Sequence, residues 1–216
     1  MDDSSTTATP ALSTVDRILD AAEGLFADRG YAGTAVRDIA AAVSLNPASL
    51  YNHFPGKEGL YEAVLDRGMR PVFEIFKDMA RMATGEWSRD EFWNGMDRII
   101  DHFAAKPEIA RLVQHEALAG GDMLAGLAVR WLAPILADGV TLIQKSPRFE
   151  GWEREELPLL MATLTNLVIG YFANASLLEK IVGEDPLSGG AVERQRHFLH
   201  EAIRRLVGGG SGRASL

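Results

Sequence analysis

Residues 46 to 57 read N-P-A-S-L-Y-N-H-F-P-G-K, a polar stretch held between one Pro near its start and a Pro-Gly near its end. Asn is a favoured N-cap and Pro suits the first helical position, so a helix is predicted to open at Pro47. Pro55 disfavours helix in the residue before it, so that helix must stop near Phe54. Upstream, Val36, Ile39, Ala40 and Val43 recur at the spacing of one buried helical face, with Thr34 in the N-cap position. Ser44 and Leu45 leave only a tight connection between the two. Short helices joined in this way have the geometry of a helix-turn-helix. Leu50 and Phe54, at i and i+4, are expected to bury themselves against the preceding helices. Pro47, Ala48, Ser49, Tyr51, Asn52 and His53 are then left facing outward. The second helix of such a motif can lie in the major groove of DNA with its N-terminal residues against base edges.

Helical periodicity continues on both sides. Val15, Ile18, Leu19, Ala22, Leu25 and Phe26 form a stripe over about 13–29, opened by Ser13 with Asp16 three residues on and closed by Gly30. A fourth helix starts at Lys57 or its neighbours, with Leu60, Tyr61, Val64 and Leu65 as its apolar set, and Pro71 is expected to interrupt it. Further helices are predicted over 72–83, 88–104, 107–119, 122–145, 154–182 and 189–207. Pro134 should kink the fourth of these, and Gly-Gly at 120–121 and 189–190 marks loops. No sustained alternation signals a strand, so the fold class is all-α.

Composition narrows the function. Of 216 residues 47% are apolar, enough for a real core, and there is no Cys, which excludes disulfides and thiol chemistry and fits a reducing cytoplasm. The opening M-D-D-S-S-T-T-A-T-P has neither a basic region nor an apolar run, so it is expected to be a frayed tail and not a secretory signal. A net charge of −8 argues against a protein coated in positive charge, though not against a small basic face. The run from Leu157 to Leu178 carries no charge and has the length of a membrane span, but it holds Pro158, Thr163, Thr165, Asn166, Asn174 and Ser176 and lacks a basic flank. Burial by other helices or by a partner subunit explains it without a membrane.

The run T-A-V-R-D-I-A-A-A-V-S-L-N-P-A-S-L-Y-N-H-F-P-G-K-E-G-L, preceded by I-L-D-A-A-E-G-L-F-A-D-R-G-Y-A-G-T, resembles the N-terminal module of the TetR (tetracycline-repressor-like) transcriptional regulators. The resemblance covers about residues 13–65, and its S-L-Y-x-H-F-x-x-K-E-x-L core is highly specific. It implies a three-helix DNA-binding module at 13–65 and a helical effector-binding and dimerisation domain at 66–207; composition marks a disordered tail at 1–12 and a flexible one at 208–216. At matching positions it implies that Tyr51 and Lys57 bond phosphates, with Thr34 and Arg37 as further phosphate contacts. Pro47, Ala48, Ser49 and Asn52 then lie at the bases, where Asn can pair with adenine and Ala or Pro can touch a thymine methyl, and Asn46 at the cap counts among the DNA-binding residues. His53 reaches phosphate or supports Tyr51. Plainer roles stay open: Tyr51 as a cap on the core, Arg37 paired with nearby acids, Lys57 as a surface residue, Asn52 on phosphate. Two departures stand out. Family members often have Gly in the turn where this chain has Ser44. The module is also acidic, six Lys and Arg against eight Asp and Glu over 13–70, a net of −2, and residues 1–12 offer no basic arm.

The resemblance further implies a two-fold homodimer on a palindromic double-stranded operator, released by a small-molecule effector. The 157–178 and 189–207 segments would build a four-helix interface from Leu167, Gly170, Phe172, Ala173, Leu177, Phe198 and Leu206. Phe73, Phe76, Trp93, Met96, Phe103 and Trp131, with His115, Thr165, Asn166 and Tyr171, are candidates to line an effector pocket, or are plain core. No cofactor is expected. A catalytic reading finds no phosphate-binding Gly loop and no nucleophile elbow. A metal at His197, His200, Glu193 and Glu201 has helical spacing but no H-E-x-x-H motif, and it falls where dimer surface is expected.

Overall fold

The computed structural model describes residues 13–82, 89–131 and 155–208, which are helical apart from short connections; among them there is no strand. They divide into two compact units, one ending at Val64 and the other beginning at Leu65. The expected tails, the helix beyond 131 and its kink at Pro134 lie outside the described residues.

In the first unit α1 spans Thr14–Gly33, α2 Val36–Ala42 and α3 Pro47–Tyr51, and α4, Gly56–Met82, begins. Ser13 caps α1 by accepting from the Asp16 amide at 3.1 Å, and its hydroxyl donates to the Asp16 carboxylate at 2.6 Å. The stripe read from the sequence is the one that packs: Ile18, Ala22 and Phe26 are buried, as are Ile39, Ala40 and Leu50, and α1 lies against α2 and α2 against α3. Gly30 is the break expected of it, with φ 68°, but one more helical turn follows before the chain extends through Thr34 and Ala35. Ala35, not Thr34, is therefore the N-cap of α2.

Ser44 holds φ 57°, so the turn keeps the left-handed conformation for which Gly is suited. Leu45 N–H bonds the Ala40 carbonyl at 2.9 Å across that turn, and the Arg17 guanidinium donates to the Val43 carbonyl at 2.9 Å. These bonds over-determine the turn and offset the ~1 kcal/mol a non-Gly residue loses there. Ser44→Gly is expected to raise the stability of this unit by up to ~1 kcal/mol. Chemical denaturation read on the first unit checks the sign; a loss of stability would show that the Ser side chain contributes more than its backbone strain.

In the second unit α4 runs on unbroken, α5 spans Arg89–Ala105 and α6 Pro107–Leu118, residues 122–131 form α7, and α8 (Leu157–Ala173), α9 (Ala175–Val182) and α10 (Gly189–Gly208) complete it. Pro71 does not interrupt α4. An interior Pro costs ~3 kcal/mol, but the helix buries Leu65 and Met69 before it and Val72, Phe73, Ile75 and Met79 after it, and ending there would forfeit one set. Just before the Pro, His102 Nε2 lies 2.8 Å from the Gly68 carbonyl oxygen. A Cβ on Gly68 would stand 2.4 Å from Ile109 Cδ1, so α4 and α6 approach at a point where a larger residue would force the Ile109 side chain to move.

The 154–182 helix is divided at Asn174, whose side-chain amide donates to the Gly170 carbonyl at 2.8 Å and competes with the helical ladder. Gly189 and Gly190 begin α10 and are not a loop. Phe103 and Phe172 stack with ring centroids 6.3 Å apart in a core that also holds Ile100, Leu112 and Leu199. Buried Glu116 accepts from the amides of Met123 at 3.0 Å and Leu124 at 3.4 Å, closing the start of α7 with a carboxylate from α6. Among the described residues, no helix is long and apolar enough to cross a membrane.

Candidate nucleic-acid interface

α3 is short because its two ends are fixed by different chemistry. At the start, Asn46 Oδ1 accepts from the Ser49 amide at 2.8 Å and from the Ser49 hydroxyl at 3.0 Å. At the end, Phe54 N–H still reaches the Leu50 carbonyl at 2.9 Å, after which Gly56 takes φ 90° and redirects the chain into α4. The helix proper is five residues, shorter than the stretch to Phe54 read from the sequence, and Asn52 and His53 follow as a turn.

Leu50 and Phe54 are buried as expected, and they orient the rest. Pro47, Ala48, Tyr51, Asn52 and His53 are exposed and Ser49 is half-buried. Tyr51, at 57% exposure, does not cap the core. Asn46 is exposed, with its oxygen engaged in the cap.

The flanking cations differ. Arg37 leaves 82% of its side chain exposed, and its Nε stands 3.6 Å from Asp38, which also pairs with Arg29 at 3.5 Å; pairs as open as these contribute little. Lys57 is half-buried, and its ammonium lies 4.3 Å from the centroid of the Tyr31 ring. Thr34 is the exception among the candidates. It is 2% exposed and its hydroxyl points to the carbonyls of Leu25 at 3.0 Å and Gly30 at 2.9 Å, so it faces inward and ties down the break in α1. Buried at that break, its hydroxyl does not reach the outer surface where a phosphate would lie.

Tyr31 was not singled out by periodicity, and no spacing rule links it to Lys57. A Gly break followed by an aromatic residue, R-G-Y, is the only local signal that it leaves the helical stripe.

In the second unit the candidates scatter. Phe73, Met96 and Phe103 are buried, while Phe76, Trp93, Trp131 and Tyr171 are half-buried. Trp131 donates its indole N–H to Asp66 at 2.9 Å, with Arg70 and Lys77 over its ring. The Tyr171 hydroxyl donates to the Pro186 carbonyl at 2.9 Å, and burial raises its pKa. His115, Thr165 and Asn166 are exposed, with Asn166 bonded back to the Ala162 carbonyl, so these three are surface groups. Asn166 instead helps line an open groove along α8 with Leu159, Ala162, Thr163 and Leu167.

Of the residues expected at an interface, Phe172 is 0% exposed inside its own unit, where its ring meets Phe103, and is core. Leu177 at 55%, Phe198 at 60% and Leu206 at 38% are exposed, and Leu167, Gly170 and Ala173 are intermediate. His200 is 2.7 Å from Asp97, which also pairs with Arg196, while His197 is exposed. Partial burial opposes the Arg196 charge, but hydrogen bonds to Asp101, Asp97 and Glu193 outweigh it and raise its pKa. Among the described residues no group of His, Asp and Glu is placed to hold a metal ion.

Residues 18–64 match the family of bacterial regulatory proteins described as the tetR family. The chain is 49% identical over 47 residues to the biofilm operon icaADBC negative transcriptional regulator IcaR of Staphylococcus aureus, a stretch that is 22% of this chain and 25% of IcaR. It is 39% identical over 72 residues to the transcriptional repressor KstR2 of Rhodococcus jostii, 33% of this chain and 34% of KstR2. It thus spans about a quarter to a third of the curated relatives it matches. Over the greater length the likeness is one of fold: a TetR-like transcriptional regulator from Rhodococcus sp. RHA1 superimposes with a TM-score of 0.62 at 17% identity, over 92% of this chain and 100% of that one. The helix-turn-helix therefore lies in a stretch that matches the tetR family of bacterial regulatory proteins, and over the rest of its length the chain shares the helical fold of a TetR-like regulator.

Proposed function

We propose that this chain is a DNA-binding transcriptional regulator that acts as a two-fold homodimer, pairs two copies of α3 in successive major grooves of a palindromic operator, and leaves it when a small apolar or aromatic effector binds. One observation carries the reading. Burial of Leu50 and Phe54 turns Pro47, Ala48, Tyr51, Asn52 and His53 outward together, with Lys57 just after them in sequence and Arg37 in the same unit.

Tyr51, Lys57 and Arg37 take phosphates, His53 reaches phosphate or supports Tyr51, and Pro47, Ala48, Ser49 and Asn52 meet base edges, while Asn46 holds the helix end that presents them. Few cations make the salt dependence moderate, so affinity comes from coupling two modules. The first unit reads DNA; the second dimerises and binds effector. Phe76, Trp93 and Tyr171 are half-buried aromatic side chains of the second unit, and rings of this kind suit an apolar or aromatic ligand. Binding it must favour a subunit arrangement in which the two α3 helices no longer match the groove spacing. Repression is favoured as the sign because IcaR is named a negative regulator and KstR2 a repressor. A DNA partner of this kind sets the place of action in the cytoplasm.

The test is a gel shift with the duplex upstream of the protein's own gene. Wild type is expected to retard it and Tyr51→Ala to weaken retardation at least tenfold. Equal retardation by both proteins would remove the outward face of α3 from the contact, and no retardation at any protein concentration would remove the operator.

A further inference from the structure

Lys57 is the second residue of α4, whose N-terminal end carries the positive pole of the helix. A cation is disfavoured at that pole, and a free ammonium would swing away from it into water. Here the Lys57 ammonium is held 4.3 Å from the centroid of the Tyr31 ring, whose electron-rich face attracts a cation. The ring has a rigid base. It stacks on Phe26 with centroids 6.2 Å apart and tilts against Tyr61 at 4.9 Å, and those two rings are 0% and 2% exposed. Tyr31 reaches this place because Gly30 breaks α1, and the buried Thr34 hydroxyl ties the break by pointing at the Gly30 carbonyl. A residue 26 positions before Lys57 in the chain thus fixes where the ammonium stands.

We infer that Tyr31 is a positioning residue for phosphate binding: its ring holds the Lys57 ammonium at the start of α4, so that ammonium and helix pole act on one DNA phosphate. This rests on the nucleic-acid reading above. Pre-placing the ammonium lowers the conformational entropy lost when a phosphate arrives. The arrangement also explains why a module of net −2 can hold a duplex with few cations, because the cation that counts is already aimed.

The experiment uses the full-length protein and the labelled duplex upstream of its own gene, titrated by fluorescence anisotropy between about 50 and about 200 mM NaCl. Lys57→Gln is expected to reduce the slope of log K against log salt by about 0.9 for each protomer, the loss of one phosphate contact. Tyr31→Leu is expected to reduce the slope in the same direction and weaken binding by about two- to fivefold for each protomer. Tyr31→Phe, which keeps the ring, restores both, and adding Tyr31→Leu to Lys57→Gln changes nothing further. In the free protein the Lys57 ε-methylene protons are expected to resonate upfield, shielded by the ring. That shift should survive in Tyr31→Phe and vanish in Tyr31→Leu, and it is readable in wild type even where Tyr31→Leu unfolds. If Lys57→Gln lowers the slope while a folded Tyr31→Leu does not, or if the wild-type ε-protons are unshifted, the positioning role is wrong and the DNA reading stands. If wild type binds no duplex, the DNA reading itself falls.

Discussion

Replacing Leu177 and Phe198 together by Asp is expected to turn the protein into a monomer and to lower its operator affinity by about a hundredfold or more, since coupling two modules is worth that factor. The physical ground is the distribution of exposed apolar surface. Leu159, Leu177, Ile181, Val182 and Phe198 are each at least 55% exposed and all belong to α8, α9 and α10; elsewhere among the described residues Tyr51, Leu118 and Val129 are comparably open. Monomeric proteins seldom leave such side chains gathered in water. The open groove of Leu159, Ala162, Thr163, Asn166 and Leu167 on the same helix α8 gives a second copy a shape to fill. Two buried carboxylates in that seam would each lack a partner, at several kcal/mol apiece in order of magnitude. Light scattering on the eluting peak checks it: wild type at about twice 23.5 kDa, the variant at 23.5 kDa. A variant that stays dimeric would place the interface elsewhere.

Leu50→Ala should act inside one protomer and reach the same function by another route. Leu50 is 1% exposed, on a helix that packs against α2, whose Ile39 and Ala40 are buried too. Truncating a Leu so placed costs ~2–5 kcal/mol, from lost transfer energy and from the cavity left behind. A module of this size has a marginal store of stability, so the loss is a large part of the whole. Amide exchange at Ile39, Ala40 and Phe54 should quicken by about one and a half to three and a half orders of magnitude, and retardation of the duplex should fall with it. Unchanged exchange at those amides would mean that α3 is held by something other than this contact.

Much of the first unit was legible from residue order alone. Asn46-Pro47 and Pro55-Gly56 bound α3 because a cap, a fixed φ and a missing N–H act on their own neighbours, and Leu50 with Phe54 set its inner side because i and i+4 share a face. Local rules failed where a distant group changed the balance. Thr34 looks like an N-cap and a phosphate contact, yet the Gly30 and Leu25 carbonyls lie within its reach and draw the hydroxyl inward. Pro71 looks like a stop, yet apolar residues on both sides of it are buried and keep α4 whole. Phe172 looks like a seam residue, yet Phe103 stands opposite its ring. His115, Thr165 and Asn166, candidates for the effector pocket, stand exposed for a related reason: composition lists the groups that suit a cavity, but only packing decides where each of them points.

The sequence by itself determined that this chain is all-α, that a short helix sits between two breakers, and which side of that helix is apolar, because capping, proline chemistry and a 3.6-residue period act over a few neighbouring residues. Only the tertiary structure decided that Tyr31 lies under Lys57, that Ser44 keeps a left-handed turn, and that Glu116 closes α7. Each of those depends on groups brought together across the chain, where the energy of a contact is settled by what the rest of the fold places beside it.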